Sequence, residues 1–242
     1  MTNLVEIIRL LNTDGIGPVS FYKLLKQHGS VSAALDAVAQ RKQLFSQAAA
    51  EDVIAKADNL GVKIISYADE AYPENLRQLN DAPPLLYVLG NPALLNYPAA
   101  ISIVGARNAT IGGRKMASHI AYDLTEQDVL VVSGMALGID GAAHKGALYA
   151  KHQKGATVAV LGTGVDEIYP PEHRDLYEQI RHQGVIVSEF SLSTKAQISN
   201  FPRRNRIIAA LSAGTLVVEA GLHSGSLITA KSPLEQGKEI FA

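Results

Sequence analysis

Apolar positions change their period along this chain. Over roughly the first 60 residues they recur every three to four positions: Leu4, Ile7, Ile8 and Leu11, then Phe21, Leu24 and Leu25, then Val31, Ala34, Leu35 and Val38. That spacing puts each set on one face of a short helix. The segment from Asp14 to Pro18 makes the first turn, with Pro18 suited to the opening position of the next helix. Gly29 ends that helix and Ser30 caps a third. A fourth helix is predicted over 46–60, stopped by Gly61.

From Val62 the pattern becomes short apolar runs. Residues 62–67 and 85–89 read as strands and 73–79 as a short helix, with proline-rich connectors at Pro83-Pro84 and between Pro92 and Pro98. Beyond them the chain alternates. Strands are predicted at 100–104, 129–132, 157–161, 185–187 and 215–218, and helices at 112–126, 139–151, 172–183, 203–211 and about 226–236, before a last strand at 239–241. Wholly apolar strands separated by helices are buried on both faces, so the fold class is α/β: a parallel sheet covered by helices on both sides. The expected division is a helical domain over 1–61 and a sheet domain over 62–242, which includes the lead-in segment 62–98.

Composition narrows the partners without naming one. Of 242 residues, 47% are hydrophobic and 19% charged, an ordinary globular mixture. The net charge of −1 provides no bulk attraction for a polyanion, so any nucleic-acid binding must come from a local patch. With no cysteine, disulfides, thiolate metal sites and cysteine nucleophiles are excluded, which fits a reducing cytoplasm. The first residues lack the basic-then-apolar pattern of a secretory signal, and no apolar stretch reaches the ~18 residues of a membrane span.

Candidate chemistry gathers at strand ends. Gly105, Ser133-Gly134, Gly162, Ser188-Glu189 and Glu219 follow predicted strands. In an open parallel sheet such carboxyl ends share one edge, where ligands bind. The dinucleotide fingerprint is missing: the residues after the first strand of the alternating half do not fit it, and Gly162-Thr163-Gly164 has Glu167 where the third glycine belongs. Gly141 to Gly146 has P-loop spacing, but Ala147 follows, so a P-loop ATPase is excluded and no cofactor is implied. What remains is a loop-borne basic group: Arg107, and Phe201-Pro202-Arg203-Arg204-Asn205-Arg206 ahead of an apolar helix. Arginines at a helix start oppose its dipole, a conflict that a bound anion would remove. They can equally form a solvated or ion-paired turn, with Phe201 in the core. Asp140 and His144 lie four apart but show no third ligand, so no metal site is expected.

Six stretches in order resemble the DNA-processing protein A family. They are Val104-Gly105-Ala106-Arg107; the run from Val132 to Asp140 with Ala143-His144; the run from Ala159 to Gly164 with Tyr169-Pro170; Ser188-Glu189; Phe201-Pro202 with the run from Arg204 to Ile208; and the run from Val217 to Ala220 with Ser224-Gly225-Ser226 and the four residues after it. The resemblance covers about 85–242. More weakly, Gly15-Ile16-Gly17 is similar to a helix-hairpin-helix turn in a small sterile-alpha-motif-like domain. It implies a Rossmann-like domain that binds single-stranded DNA without hydrolysing it. It also implies a homodimer that protects incoming DNA and helps load the recombinase RecA during natural transformation. By position, Arg107 would hold phosphate, and Phe201, Arg204, Asn205 and Arg206 would form a second wall. Gly105, Gly134 and Gly162 would belong to the same site, the last two letting backbone approach the strand. Ser224, Gly225 and Ser226 would offer N–H groups. Leu137 stands where that family usually has a basic residue, so one positive charge is missing. Its members normally continue beyond the equivalent of Ala242, and the dimer and RecA surfaces are expected on the C-terminal part of the sheet domain.

Two other readings use the same edge. Ala213-Gly214-Thr215 with Glu219 resembles part of the signature of lysine-decarboxylase-like nucleoside-monophosphate hydrolases, but Ala210-Leu211-Ser212 replaces its Pro-Gly-Gly. A nucleotide sensor would also fit.

Overall fold

The structure, a computed structural model, describes residues 3–151, 157–219 and 237–242. Four helices open the chain: α1 (Leu4–Leu11), α2 (Pro18–His28), α3 (Val31–Ala39) and α4 (Gln47–Asn59). Their starts follow from their caps. The side chains of Asn3, Ser30 and Ser46 accept the N–H groups of Val5, Ala33 and Ala49, satisfying donors that the helix itself leaves unpaired. Gly29 closes α2 in the left-handed region, φ 79°. The predicted apolar faces meet: Ile7, Ile8, Leu10, Phe21, Ala34 and Leu35 form one core, and Leu85 of the following region joins it. Phe21, Tyr22 and Tyr67 pack edge to face with centroids 5.4 to 5.8 Å apart.

Then come β1 (Lys63–Ser66), α5 (Glu74–Arg77), β2 (Leu85–Gly90), β3 (Ala100–Gly105), α6 (Ile111–Glu126), β4 (Leu130–Ser133), α7 (Ile139–Tyr149), β5 (Thr157–Val160), α8 (Arg174–Gln183), β6 (Val185–Ser188), α9 (Asn200–Ala210), β7 (Gly214–Val218) and β8 (Glu239–Phe241). The helix predicted over 226–236 lies outside the described residues. One eight-stranded sheet runs in the order β1-β2-β6-β5-β4-β3-β7-β8. Strands β3 to β8 are parallel, as the alternation predicts.

The sheet is not wholly parallel. β1 pairs antiparallel with β2, and β2 antiparallel with β6, Tyr87 opposite Ser188. After Ser66 the chain doubles back, its two arms tied by Tyr67 N–H to the Pro84 carbonyl at 2.9 Å. A parallel pair needs a crossover spanning the sheet face. The connector holds only the four-residue α5 and turns instead. None of the helices among the described residues is long and apolar enough to cross a membrane.

Successive strand residues point to opposite faces, and the core divides accordingly. Ile103, Val131, Ala159 and Ile186 pack with α6, α7 and α8. Val104, Val132, Val160 and Val187 pack with α9 on the other face. Strand order reverses at β3, with β4 on one side and β7 on the other. That places the loops after β3, β4 and β5 at the edge where such sheets bind ligands.

Candidate nucleic-acid interface

Helix α9 approaches this edge from one face, and the loops leading to α6 and α7 from the other. Asn200 fixes the first turn of α9 by donating its side-chain amide to the Gly162 carbonyl at 3.1 Å. The helix begins three residues ahead of the sequence expectation, with Pro202 inside its first turn, where no intrahelical N–H is needed. Between the two walls lies a cleft lined by Arg107, Gly134, Leu137, Gly162, Tyr169, Pro170, Phe201 and Arg204. Five of the sequence candidates therefore meet there: Arg107, Gly134, Gly162, Phe201 and Arg204.

Three aromatic and cationic groups form the working surface. The Arg107 guanidinium sits over the Phe201 ring, 5.4 Å from its centroid. Tyr169 lies beside Phe201 with centroids 5.5 Å apart and planes inclined by 31°. Arg107 is exposed and Phe201 half-buried, and Tyr169 is 45% exposed. A guanidinium stacked on a ring keeps its N–H edge available for a phosphate. Such stacking contributes about 0.5–1 kcal/mol at an exposed position. Gly138, at φ 80°, lets the loop after β4 press on the main-chain carbonyls of Ala106 and Arg107. A side chain there would displace the backbone that carries Arg107.

The arginines of α9 act differently from the sequence expectation. Arg204 is 4% exposed. Its Nη1 donates to the Gly134 carbonyl at 2.5 Å and to the Val160 carbonyl, and its Nε donates to Asn205 Oδ1 at 3.2 Å. Asp140, also buried, accepts the N–H groups of Gly134 and Ala136 at 3.1 and 3.3 Å. Burial pushes the Asp140 carboxyl above its ordinary range, opposed chiefly by the charge of Arg204. Burial likewise lowers Arg204 to about 10, opposed by Asp140, which leaves the guanidinium charged at neutral pH. Arg204 thus forms the floor of the cleft with its charge compensated from within.

Arg203 and Arg206 both donate to Glu189 Oε2, at 2.9 and 2.8 Å, and Arg206 Nε lies 2.7 Å from Asp81. Asn205 is buried, and neither it nor Arg206 lines the cleft. The dipole conflict at the start of α9 is therefore met by carboxylates of this chain, and Asn205 and Arg206 sit behind the cleft rather than in its lining. Arg107, by contrast, makes no ion pair among the described residues.

The glycines serve the packing of the same elements. A Cβ at Gly134 would lie 2.5–2.6 Å from the Arg204 guanidinium, and one at Gly162 would lie 2.8 Å from the Phe201 ring. These positions are small so that α9 side chains close onto the sheet edge, and both line the cleft. Gly105 packs against the Val218 carbonyl and the Ile139 side chain; it seats α7 against β3 and does not line the cleft. Ser224, Gly225 and Ser226 lie outside the described residues.

Tyr169 and Asn200 were not among the sequence candidates. Tyr169-Pro170, in the loop beyond Gly162, was the available signal for the first. Asn200 gave none, since its partner is a main-chain carbonyl. Asp140 and His144 do not combine as metal ligands: His144 Nδ1 pairs with Thr157 Oγ1 at 2.8 Å, and Asp140 faces the two N–H groups. Glu219 accepts the N–H of Thr110 at 2.9 Å at the start of α6, the backbone role rather than that of a poised base.

Fold and cleft together define a Rossmann-like α/β protein whose sheet edge presents a cation stacked on aromatic rings. The chain belongs to the family described as DNA recombination-mediator protein A, whose model matches residues 63–242. A DprA-like N-terminal helix-hairpin-helix model matches residues 2–56. The DNA processing protein DprA of Bacillus subtilis is 38% identical over 190 residues, 78% of this chain and 63% of that relative. Two further curated relatives are covered over 44% and 61% of their lengths. The X-ray structure of DNA processing protein A from Streptococcus pneumoniae superposes with a TM-score of 0.84 at 30% identity, over 100% of this chain and 87% of that one. DNA processing protein A from Helicobacter pylori, described for its single-stranded DNA binding mode, gives a TM-score of 0.66 at 28% identity, over 74% and 79% of the two chains.

Proposed function

We propose that this chain binds single-stranded DNA in the cleft between Arg107 and Phe201, as a recombination mediator without hydrolytic chemistry. The observation that carries this reading is the stacked trio of Arg107, Phe201 and Tyr169 at the carboxyl edge of the sheet. Arg107 supplies the phosphate contact. The two rings supply surfaces on which bases stack, each worth about 1–3 kcal/mol whatever the sequence. A duplex hides its base faces and cannot use those rings, so the cleft selects single strands. Likeness to the Helicobacter pylori protein supports the same ligand.

The finer reading is DNA processing in transformation: protection of the incoming strand, transfer to RecA, and a homodimer formed through the C-terminal part of the sheet domain, all in the cytoplasm. The proposed division is a helical unit over 1–61 and a sheet unit over 62–242, in keeping with the two family matches.

The test is fluorescence anisotropy with labelled oligo-dT and its duplex at two salt concentrations. The reading requires tight, salt-sensitive preference for the single strand. Equal affinity for both forms, or binding indifferent to salt, overturns it. For the hydrolase alternative, the engagement of Glu219 with Thr110 N–H counts against a base role. Release of free base from AMP, lost in Glu219→Gln, would reinstate it.

A further inference from the structure

The Arg107–Phe201 cleft encloses about 70 Å³. Small-molecule pockets typically enclose about 300–1,000 Å³, so a strand seated there must run on over neighbouring surface. On the far side of the loop carrying Leu137, α6 and α7 leave a second groove of about 330 Å³, whose lining includes Arg114, Lys115, Lys145, Tyr149 and His173.

Its chemistry is that of a nucleic-acid surface. Arg114, Lys115 and Lys145 are exposed, and none of the three makes an ion pair among the described residues. Arg114 gives one N–H to the Ala109 carbonyl at 2.5 Å and keeps its charge uncompensated. Tyr149 is 73% exposed and Ile111 at the groove's mouth 68%. Cations interleaved with an open ring are the two elements that a strand's backbone and bases require.

Groove and cleft share a wall. Ala136 and Leu137 line the cleft while Gly138 lines the groove. Pro170 lines the cleft and His173 the groove, joined by the His173 N–H to the Pro170 carbonyl at 3.0 Å. The His173 ring anchors this wall through Nδ1, which lies 3.0 Å from the Met135 carbonyl. The crest between the two sites is therefore short, rigid and made of the same two loops.

We propose that the groove between α6 and α7 is a second phosphate-and-ring subsite, reached by a single strand that leaves the cleft and crosses the loop at 136–138. The inference rests on the single-strand reading of the cleft.

The experiment compares labelled oligo-dT of about six nucleotides, near the short end of the ~4–16 nucleotides of known single-strand sites, with one of about twenty, beyond the long end. It uses the full chain, Lys115→Ala/Lys145→Ala, its charge-reversed form Lys115→Glu/Lys145→Glu, and Arg107→Ala. The lysine pair is exposed, and thermal melts are expected to match the parent. For the long strand, the alanine pair should weaken binding roughly tenfold and lower the salt slope by about 1.4, two phosphates at ~0.7 each. The glutamate pair should weaken it further. Binding of the short strand should change less than about twofold, while Arg107→Ala weakens both lengths. Unchanged long-strand binding in both lysine pairs overturns the groove and leaves the cleft standing, as does an equal loss at both lengths. Long-strand binding that survives Arg107→Ala but not the lysine changes overturns the cleft reading instead. A parent chain that binds neither strand overturns both.

Discussion

The Nη1 of Arg204 reaches the main-chain carbonyl of Gly134 at 2.5 Å, and a methyl group on Gly134 would occupy the same space as the guanidinium. The two positions are one device: the residue after β4 is small so that the arginine can lie beneath the cleft, where its charge acts on the buried Asp140. Breaking a buried pair by removing one partner typically costs about 3–5 kcal/mol, because the other charge is left behind. Arg204→Ala and Gly134→Ala should both lower the urea midpoint markedly. Loss of DNA binding with unchanged urea denaturation would show that Arg204 acts on the strand directly.

Arg107 should behave in the opposite way. It is exposed, its guanidinium lies over the Phe201 ring, and it makes no ion pair among the described residues. Arg107→Ala is expected to reduce oligo-dT affinity roughly tenfold while stability shifts by no more than about 0.5 kcal/mol. Phe201→Leu should remove about 1–3 kcal/mol of stacking and leave the salt slope unchanged, because no phosphate contact is lost. Anisotropy titrations beside thermal melts separate the two effects.

Leu137 is 40% exposed on the cleft wall. On the single-strand reading, a cation there would face the same strand as Arg107, since both line the cleft. Leu137→Arg should raise single-strand affinity by about five- to tenfold and increase the salt slope by about 0.7. An unchanged slope would mean that the strand does not pass this wall.

Acid should weaken the fold through a histidine. His144 is fully buried, and burial lowers its pKa from 6.5 to about 3, with His173 and Arg204 adding to the shift. Below pH 6.5 the unfolded chain takes up a proton that the folded chain refuses. This contribution is thus fully present above about pH 6.5 and is lost progressively as pH falls toward 3, by up to about 1.4 kcal/mol per pH unit. His173 is also lowered by burial and adds in the same direction. Urea denaturation of the parent and His144→Gln between pH 7 and 5 should show the shallower slope in the variant, since other titrating groups, Asp140 included, act on both. Parallel slopes would contradict it.

Period and capping were legible in the chain: every predicted element among the described residues exists, because Ser30, Ser46 and Gly29 punctuate the helices and wholly apolar runs mark the strands. The antiparallel pairing of β1 and β2 was not legible. It depends on where the connector turns, through one main-chain bond between Tyr67 and Pro84. At the site, the meeting of Arg107, Gly162 and Phe201 could be read from strand ends and a basic cluster. The fate of individual arginines could not. Arg203, Arg204 and Arg206 look alike in sequence, and only the third dimension brings Glu189, Asp140 and Asp81 to them. Tertiary ion pairs leave no local pattern, and a cation such as Arg107, with no ion pair among the described residues, is identified only by elimination in space.

Because Phe201 and Arg204 ride on a helix packed against one face of the sheet, while Arg107 and Leu137 ride on loops anchored to the other, the cleft works like the jaws of a caliper set by the thickness of the protein's interior. Trimming Ile207 beneath one jaw or Ile139 beneath the other, both fully buried, would reset the gap from a distance. On the proposed reading, grip on the strand is therefore tunable by residues that never touch it.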